Sequence, residues 1–220
     1  ALRTLASELE KAHRVATRVV SCDLATPEGV RQCVAAAEGL DLALLVNNAG
    51  AGYVGRFEKQ APERLTAMVQ LNCVAPVALT AVLLPGLRKR GRGAVIFVGS
   101  IAGCQPLPLH AVYSASKSFD NLLGEALWGE LRGTGIDVLS LAPGSTDTEF
   151  AEAAGEVDHA GESAEKVVRV ALSALGQQPS VISGGFNWLR ANVAYRLLPR
   201  SVLALLAKTV FARQVPESMR

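Results

Sequence analysis

The segment AVIFVGSIAG, residues 94–103, combines an apolar run of strand length with a turn of small residues. The run Ala94–Val98 is continuous rather than alternating, which is typical of a strand that helices cover on both faces of a parallel sheet. Segments of helix length separate four further runs of this kind, at Val15–Val20, Leu40–Val46, Ile136–Leu141 and Val181–Ile182. This alternation predicts one α/β domain built on a doubly wound parallel sheet.

Composition limits the classes of protein to which the chain can belong. With 220 residues, half of them hydrophobic, the chain can bury one sizeable core without disulfides or metals. The net charge of +2 gives no field that would indicate a nucleic-acid partner. No C-x-x-C spacing indicates a zinc site or a disulfide framework, so we expect no metal and a reducing, cytoplasmic location. The cysteines are Cys22, Cys33, Cys73 and Cys104.

The most apolar stretch of the sequence is Cys73–Leu87, which contains Pro76 and Pro85. It falls short of the roughly 18 to 20 clean apolar residues that a membrane span requires. We therefore predict that it is a buried helix of the domain.

The segments that directly follow the predicted strands are candidates for a binding site. In an open parallel sheet, ligands bind beyond the carboxyl ends of the strands. Here those segments mix small residues, which leave room for a ligand, with polar residues that can hold it. They are Cys22–Leu24, Asn47–Gly50, Gly99–Gly103 and Pro143–Thr148.

Tyr113 and Lys117 are the strongest candidates for acid–base chemistry. They lie four residues apart in a predicted helix, Val112–Leu131, and therefore on one face of it. A nearby ammonium group favours the phenolate, so we expect Lys117 to lower the pKa of Tyr113 toward a useful range. Ser100 could donate a hydrogen bond to the same substrate oxygen. Taken alone, the pair could equally be a half-buried tyrosine beside a surface lysine.

Four motifs that follow one another along the sequence favour the catalytic interpretation of Tyr113 and Lys117. NNAG at residues 47–50 is followed by GSIAG at 99–103, YSASK at 113–117 and P-G-x-x-x-T at 143–148. Over residues 1–185 the chain thus resembles the short-chain dehydrogenase/reductase family. The resemblance implies a Rossmann-like fold and hydride transfer between a nicotinamide dinucleotide and a carbonyl or alcohol substrate.

The resemblance also implies roles for four residues. Tyr113 would be the general acid in reduction and the general base in oxidation, with Lys117 as its partner and as a ligand of the nicotinamide ribose. Ser100 would orient and polarise the carbonyl group. Asn72 stands at the family's asparagine position in a long helix, where a kink and a bound water extend the proton relay; its alternative is an amide on the helix surface.

The cofactor contacts that the resemblance implies lie at the strand ends. Asp23 would contact the adenine ring, although it could also be a simple turn cap, and the segment after Pro143 would contact the carboxamide unless it is an ordinary Pro-Gly turn. The cofactor-binding residues expected in this way are Asp23, Asn47, Asn48, Ala49, Gly50, Tyr113, Lys117, Pro143, Gly144, Thr146 and Thr148.

The chain departs from the family at its beginning. The family's glycine-rich turn after the first strand is absent, and Ala1–Glu10 resembles the helix after the second strand. On the order of 40 residues, including the central strand of the sheet, are expected to be missing. Either the sequence is a piece of a longer enzyme, which we favour because the four catalytic candidates are present, or it is a truncated product. The missing strand end also selects the cofactor, so NADP and NAD both stay open, with NADP slightly favoured.

The end of the chain is variable in the family. We assign residues 1–185 to the dehydrogenase domain, with a substrate lid at 149–163, and residues 186–220 to an amphipathic, basic helical extension. We predict that this extension packs as a lid over the active site or against another subunit. Contact with an anionic membrane surface is the less favoured alternative. We expect a hydrophobic carbonyl substrate and a homodimer or homotetramer. The functional alternatives are a catalytically silent dinucleotide sensor or an inactive fragment; an epimerase or dehydratase would need a longer C-terminal part.

Overall fold

The computed structural model describes residues 2–157, 160–189, 191–192 and 197–220. Its main feature is a four-stranded parallel sheet in the order β1-β2-β3-β6, and β4 and β5 form a second, two-stranded parallel pair. The strands are β1 (Leu44–Asn47), β2 (Gly93–Val98), β3 (Ile136–Ala142), β4 (Thr146–Asp147), β5 (Glu162–Ser163) and β6 (Ser180–Ile182).

Helices connect the strands of the main sheet and continue beyond the last one. Thr26 caps α2 by accepting a hydrogen bond from the Gly29 amide at 3.0 Å, and Ser163 caps α7 in the same way through Lys166. The helices are α1 (Leu2–His13), α2 (Pro27–Ala37), α3 (Pro62–Val69), α4 (Ala75–Arg90), α5 (Ala111–Glu130), α6 (Phe150–Ala154), α7 (Ala164–Ala174), α8 (Gly185–Leu189) and α9 (Arg200–Phe211).

Two hydrophobic clusters cover the two faces of the sheet. On one face, Leu87 of α4 and Leu131, which ends α5, pack with Phe97 and Val138. On the other face, α7 packs Val167, Ala171 and Ala174 against Ile96, Leu139 and Leu141. Helices on both faces explain the continuous apolar runs of β2 and β3 and confirm the doubly wound α/β prediction.

The predicted strands at Ala94–Val98, Ile136–Leu141 and Val181–Ile182 are confirmed, and the one predicted at Leu40–Val46 begins later, at Leu44. The prediction of a strand at Val15–Val20 is wrong, because these residues form an irregular segment. A strand needs a neighbouring strand for its backbone N–H and C=O groups. Within the described residues β1 is the end of the sheet, and Val15–Val20 pairs with no strand.

A single helical stretch runs from α3 to α4 through one π-helical turn, Gln70–Val74. It is the one helix among the described residues that is long and apolar enough to cross a membrane, by length and composition only. It buries Leu79 and Leu87, whereas Val77 and Val82 are exposed by 42% and 56%. The prediction of a buried helix therefore holds for one face of Cys73–Leu87 and not for the other.

The C-terminal extension is held to the domain by a few buried side chains and by backbone hydrogen bonds near its end. In α9, Leu203 and Ala207 are buried, whereas Val202, Leu205, Leu206 and Val210 are exposed. The Val157 amide donates to the Gln214 carbonyl oxygen at 2.8 Å, and the Arg56 amide donates to that of Met219 at 2.9 Å. Arg190, Tyr195 and Arg196, which contribute to the predicted amphipathic character, lie outside the described residues, as do residues 158–159 of the predicted lid.

Candidate active site

The turns after β1, β2 and β3 meet at the carboxyl edge of the sheet and border one open cleft of about 1850 Å³. Ser100 follows β2 and begins a 3₁₀ turn, where its Oγ accepts a hydrogen bond from the Ala102 amide at 3.1 Å. Its hydroxyl also lies 3.4 Å from the carbonyl oxygen of Pro143, which follows β3. Ser100 therefore joins the ends of two neighbouring strands.

Close packing fixes helix α5 against this turn. A Cβ atom on Gly103 would lie 2.4 Å from the Lys117 carbonyl carbon and 2.6 Å from the Ser118 nitrogen, so only glycine fits there. The Ser118 hydroxyl donates to the Gly103 carbonyl oxygen and closes the contact. Because α5 carries both Tyr113 and Lys117, this contact sets their positions relative to Ser100.

Tyr113 lies in the cleft in contact with charged and polar groups. Burial raises the pKa of Tyr113 to about 12, and the charges of Glu156 and Asp120 raise it as well, whereas a hydrogen bond with the Ser100 side chain lowers it. The prediction that the pKa of Tyr113 would be lowered is therefore wrong for this structure. Desolvation of the phenolate outweighs the favourable hydrogen bond, and two carboxylates act in the same direction as burial.

The ammonium group of Lys117 is occupied by its own contacts. Its Nζ donates to the Val98 carbonyl oxygen at 2.7 Å and to Asp120 Oδ2 at 3.1 Å, and the residue is only 5% exposed. The lysine is thus held below the end of β2, and a carboxylate neutralises much of the charge that was expected to act on Tyr113.

Asn72 lies in the π-helical turn, at the kink that the resemblance implies, and is 1% exposed. Its Oδ1 accepts from the Ala51 amide, and its Nδ2 donates to the Ala51 carbonyl oxygen, both at 2.9 Å. Nδ2 also donates to Ser116 Oγ at 2.9 Å. Asn72 is therefore no surface amide: its side chain ties the segment after β1 to helix α5.

The turn after β1 approaches the same group of residues. A Cβ atom on Gly50 would lie 3.3 Å from Asn72 Oδ1 and 3.4 Å from Lys117 Nζ. A side chain there would crowd the Asn72 amide oxygen, so this turn lies close to both Asn72 and Lys117.

The structure brings most of the predicted cofactor residues to the cleft, but not Asp23 and Asn47. Asn47 is buried, and its Nδ2 donates to Thr80 Oγ1 at 3.1 Å. Asp23 is exposed, and its Oδ1 accepts from the Ala25 amide at 2.9 Å, which is the turn-cap alternative. The predicted residues that line the cleft are Asn48, Ala49, Gly50, Tyr113, Lys117, Pro143, Gly144, Thr146 and Thr148.

Residues that the sequence did not indicate complete the site around Tyr113. The ring of Phe150 lies 5.7 Å from the ring of Tyr113. His110 is 3% exposed, its Nε2 lies 3.6 Å from Glu156 Oε1, and its ring meets Phe211 edge-on at 6.0 Å. No motif or spacing marks these side chains, because segments distant in sequence bring them to the cleft.

The comparisons with known proteins agree with this arrangement. The family model described as short chain dehydrogenase matches residues 1–158. The very-long-chain 3-oxoacyl-CoA reductase of Anas platyrhynchos is 29% identical over 214 residues, which is 94% of this chain and 68% of that protein. A 7β-hydroxysteroid dehydrogenase structure is 28% identical with a TM-score of 0.86, covering 94% of this chain and 82% of that one.

A third similar protein is a short-chain dehydrogenase from Sphingobium yanoikuyae, solved in complex with NADPH. It is 26% identical with a TM-score of 0.77, covering 100% of this chain and 84% of that one. The chain therefore belongs to the short-chain dehydrogenase family and has its Rossmann-like fold, as the four motifs predicted. It spans about half the length of the curated relatives it matches.

Proposed function

We propose that the chain is the catalytic part of an NAD(P)-dependent oxidoreductase that interconverts a carbonyl compound and an alcohol. The observation that carries the proposal is the meeting of Ser100, Tyr113 and Lys117 at the edge of one cleft. The side chain of Ser100 is near enough to lower the pKa of Tyr113, against the larger effect of burial, and Lys117 lies one helical turn after Tyr113. A phenol, a hydroxyl and an ammonium group placed in this way can handle the proton and the negative charge of a carbonyl reduction.

The residues present fit the nicotinamide half of a dinucleotide. Gly50 and Gly144 line the cleft, and Asn48, Thr146 and Lys117 supply polar groups along it. When bound, the nicotinamide supplies or accepts the hydride. The similarity to a protein solved with NADPH supports a nicotinamide cofactor, and we propose NADP before NAD.

The chain's own residues would handle the proton. A phenol is protonated at neutral pH, and the raised pKa of Tyr113 does not change this, so its phenol can donate a proton to the developing alkoxide oxygen. Ser100 can donate a second hydrogen bond to that oxygen, since its hydroxyl lines the same cleft. In oxidation the proton returns to Tyr113, which must first lose its own.

We propose a bulky, mainly apolar carbonyl substrate. Around Tyr113 the cleft is lined by Leu107, Phe150, Val210 and Phe211, which favour apolar groups. The similar proteins named above are a very-long-chain 3-oxoacyl-CoA reductase and a 7β-hydroxysteroid dehydrogenase, whose names describe large hydrophobic substrates.

The first experiment is a fluorescence titration of the 220-residue chain with NADPH and NADH, after circular dichroism has shown that the sample is folded. Saturable binding, followed by oxidation of NADPH with a steroid ketone or a long-chain 3-oxoacyl thioester, is the expected result. Binding without turnover on any ketone of such a panel would favour the silent dinucleotide sensor. A folded chain that binds neither dinucleotide would contradict the proposal for this chain.

We also propose that the chain forms a homodimer or homotetramer through the outward faces of α4 and α5. Val77, Val82, Phe119 and Leu122 are exposed by 40% to 66% on these helices, an apolar surface suited to pairing with a second copy. Light scattering after gel filtration should give a mass at least twice 23.1 kDa, and Leu122→Lys should lower it.

Leu205→Lys is the matched control, because Leu205 is similarly exposed, by 68%, but lies on α9. It should leave the mass unchanged. A monomeric wild-type chain would contradict the proposed assembly, and a mass lowered by Leu205→Lys alone would move the interface to the extension.

A further inference from the structure

Asp120 is a buried carboxylate in the interior of the site, and no motif of the sequence assigns it a role. It lies in α5, three residues after Lys117, and is 3% exposed. Its Oδ2 lies 3.1 Å from Lys117 Nζ, and its Oδ1 is buried with no hydrogen-bond partner among the described residues. Its strongest interaction is therefore with the lysine.

Packing alone does not account for this residue. Removing a carboxylate from water costs free energy that one ion pair repays only with good geometry and further hydrogen bonds. Asp120 has one partner and an unsatisfied oxygen, and burial raises its pKa while Lys117 lowers it. An apolar residue of similar size would fill the same space at lower cost, so the charge itself calls for a role.

The contacts of Lys117 indicate what the charge of Asp120 does. The ammonium group has two partners, the Val98 carbonyl oxygen on one side and Asp120 on the other. These two contacts fix the direction of the lysine side chain, because the residue is buried and its ammonium group depends on protein partners rather than on bulk water. Of these two partners, only Asp120 carries a charge, and its negative charge offsets the positive charge of the lysine.

The charges around Tyr113 come from several elements. Asp120 lies on the same helix, and Glu156 lies beyond α6, where it is beside His110. After burial, which is the largest cause, Glu156 and Asp120 both raise the pKa of Tyr113. Asp120 acts in the same way on the neighbouring Cys73 thiol, whose pKa is raised to about 11, mainly by burial. Two carboxylates thus act on the phenol, and only Asp120 also holds the lysine.

We propose that Asp120 is a positioning residue for Lys117: its buried carboxylate holds the ammonium group below the end of β2 and offsets part of its charge. The consequence for Tyr113 is a phenol that gives up its proton less readily than it would beside an unpaired lysine. The contact with Lys117 stands on geometry alone, whereas the consequence for proton transfer rests on the proposed function. The protonated form is the one that reduction requires, and oxidation would need it to ionise first.

The test follows ionisation of Tyr113 directly, without substrate or cofactor. The chain has three tyrosines, so labelling tyrosine with ¹³C at Cζ gives three NMR signals, and Tyr113→Phe identifies the one to follow. In Asp120→Asn, which keeps the shape and a hydrogen-bond acceptor, the titration midpoint of Tyr113 should fall by about one pH unit, a tenfold change in proton affinity. Asp137→Asn is the matched control, because Asp137 is exposed on β3, and it should leave the midpoint unchanged.

A second variant covers the case in which Asp120→Asn does not fold. The double substitution Lys117→Met and Asp120→Leu replaces the ion pair by apolar groups of similar size, a change that proteins often tolerate. If the two charges offset each other, Tyr113 should titrate within about half a unit of the wild-type chain. A folded Asp120→Asn with an unchanged or higher midpoint, or a double variant with a strongly shifted one, would overturn the proposal.

The kinetic consequence separates this inference from the proposed function. In an active enzyme, Asp120→Asn should move the alkaline-side pH dependence of alcohol oxidation to lower pH by the same amount as the NMR midpoint, and Asp120→Glu should restore it in part. If no ketone or alcohol is turned over while the NMR shift is observed, the proposed activity fails and the positioning contact stands. If substrate is turned over and the NMR midpoint does not shift, the proposed activity stands and the positioning role of Asp120 fails.

Discussion

Helices α5 and α9 both border the cleft, and they are held in contrasting ways. The buried residues of α5 are Ser114, Ser116, Lys117, Asp120 and Gly124, a polar or small set joined by hydrogen bonds of defined length. The buried residues of α9 are Leu203 and Ala207, which are both apolar. Hydrogen bonds fix direction and distance, whereas apolar contact tolerates sliding. We infer that α5 keeps the reacting groups in register and that α9 can adapt to the substrate.

The largest expected effect follows from removing the reacting group of α5. Tyr113→Phe should lower kcat by about 10²–10⁴-fold, because a general acid contributes that much, and should leave NADPH binding within about twofold. Steady-state rates with the best ketone of the panel, together with fluorescence titration of NADPH, give both numbers. Tyr53→Phe is the control, since Tyr53 lies under the guanidinium of Arg64 at 4.0 Å and not beside Ser100. Undiminished turnover in Tyr113→Phe would end the assignment of the acid.

Packing between α5 and the turn after β2 predicts the next largest effect. Gly103→Ala should destabilise the chain by about 3 kcal/mol, because the new Cβ would meet backbone atoms of Lys117 that cannot move aside cheaply. The Cβ atom added by Gly129→Ala, on α5 itself, would have no contact within 4 Å, so this variant should be neutral or stabilising by up to about 1 kcal/mol. Urea unfolding of both variants checks the pair. Equal stabilities would mean that the turn and α5 are not in close contact.

The residues of this region could be predicted from sequence because their chemistry is local. The spacing of Tyr113 and Lys117 puts them on one helix face, and the small residues after each strand mark the edge of the sheet. The strand predicted at Val15–Val20 failed because strand formation depends on a neighbour that no local pattern reports. Asp120 and Glu156 were missed for a similar reason. The burial of Asp120 within the fold and the approach of Glu156 from a segment distant in sequence both depend on tertiary structure. Together with the burial of Tyr113 itself, these two carboxylates reversed the expected direction of its pKa shift.

The looser attachment of α9 predicts a smaller and more local effect. Leu203→Ala should cost about 2 kcal/mol, because it leaves a cavity below the helix, and the cost should appear as faster amide exchange in residues 200–211. Amides of β3 should exchange at the wild-type rate. Leu205→Ala, on the exposed face, should change neither. If Leu203→Ala accelerates exchange in β3 as well, α9 is part of the same cooperative unit as the sheet, and the contrast with α5 is wrong.

The smallest expected effect concerns the polar contacts of Glu162, in the short β4–β5 pair at the edge of the cleft. Glu162 Oε1 accepts from Lys166 Nζ at 2.6 Å and Oε2 from the Ser183 hydroxyl, and these bonds lower the pKa of Glu162. A lowered folded-state pKa means that the ionised group stabilises the fold at neutral pH, and that this contribution is lost as the pH falls below the ordinary value of 4.5. Glu162→Gln should therefore lose under about 1 kcal/mol at pH 7 and progressively less toward pH 3, since the Lys166 side chain of the pair is 61% exposed to solvent.

The control for this contact is Glu165→Gln, in the first turn of α7. Its carboxylate pairs with Arg169 at 2.6 Å, but both side chains are exposed by 75% or more, so no loss should be measurable at either pH. Urea unfolding at pH 7 and pH 3.5 compares the two variants with the wild-type chain. A loss for Glu162→Gln that does not shrink at the lower pH would mean that the side chain acts through its shape and not through its charge. The β4–β5 pair, like α9, would then be held mainly by packing. Its contrast with the hydrogen-bonded face of α5 would be greater as a result.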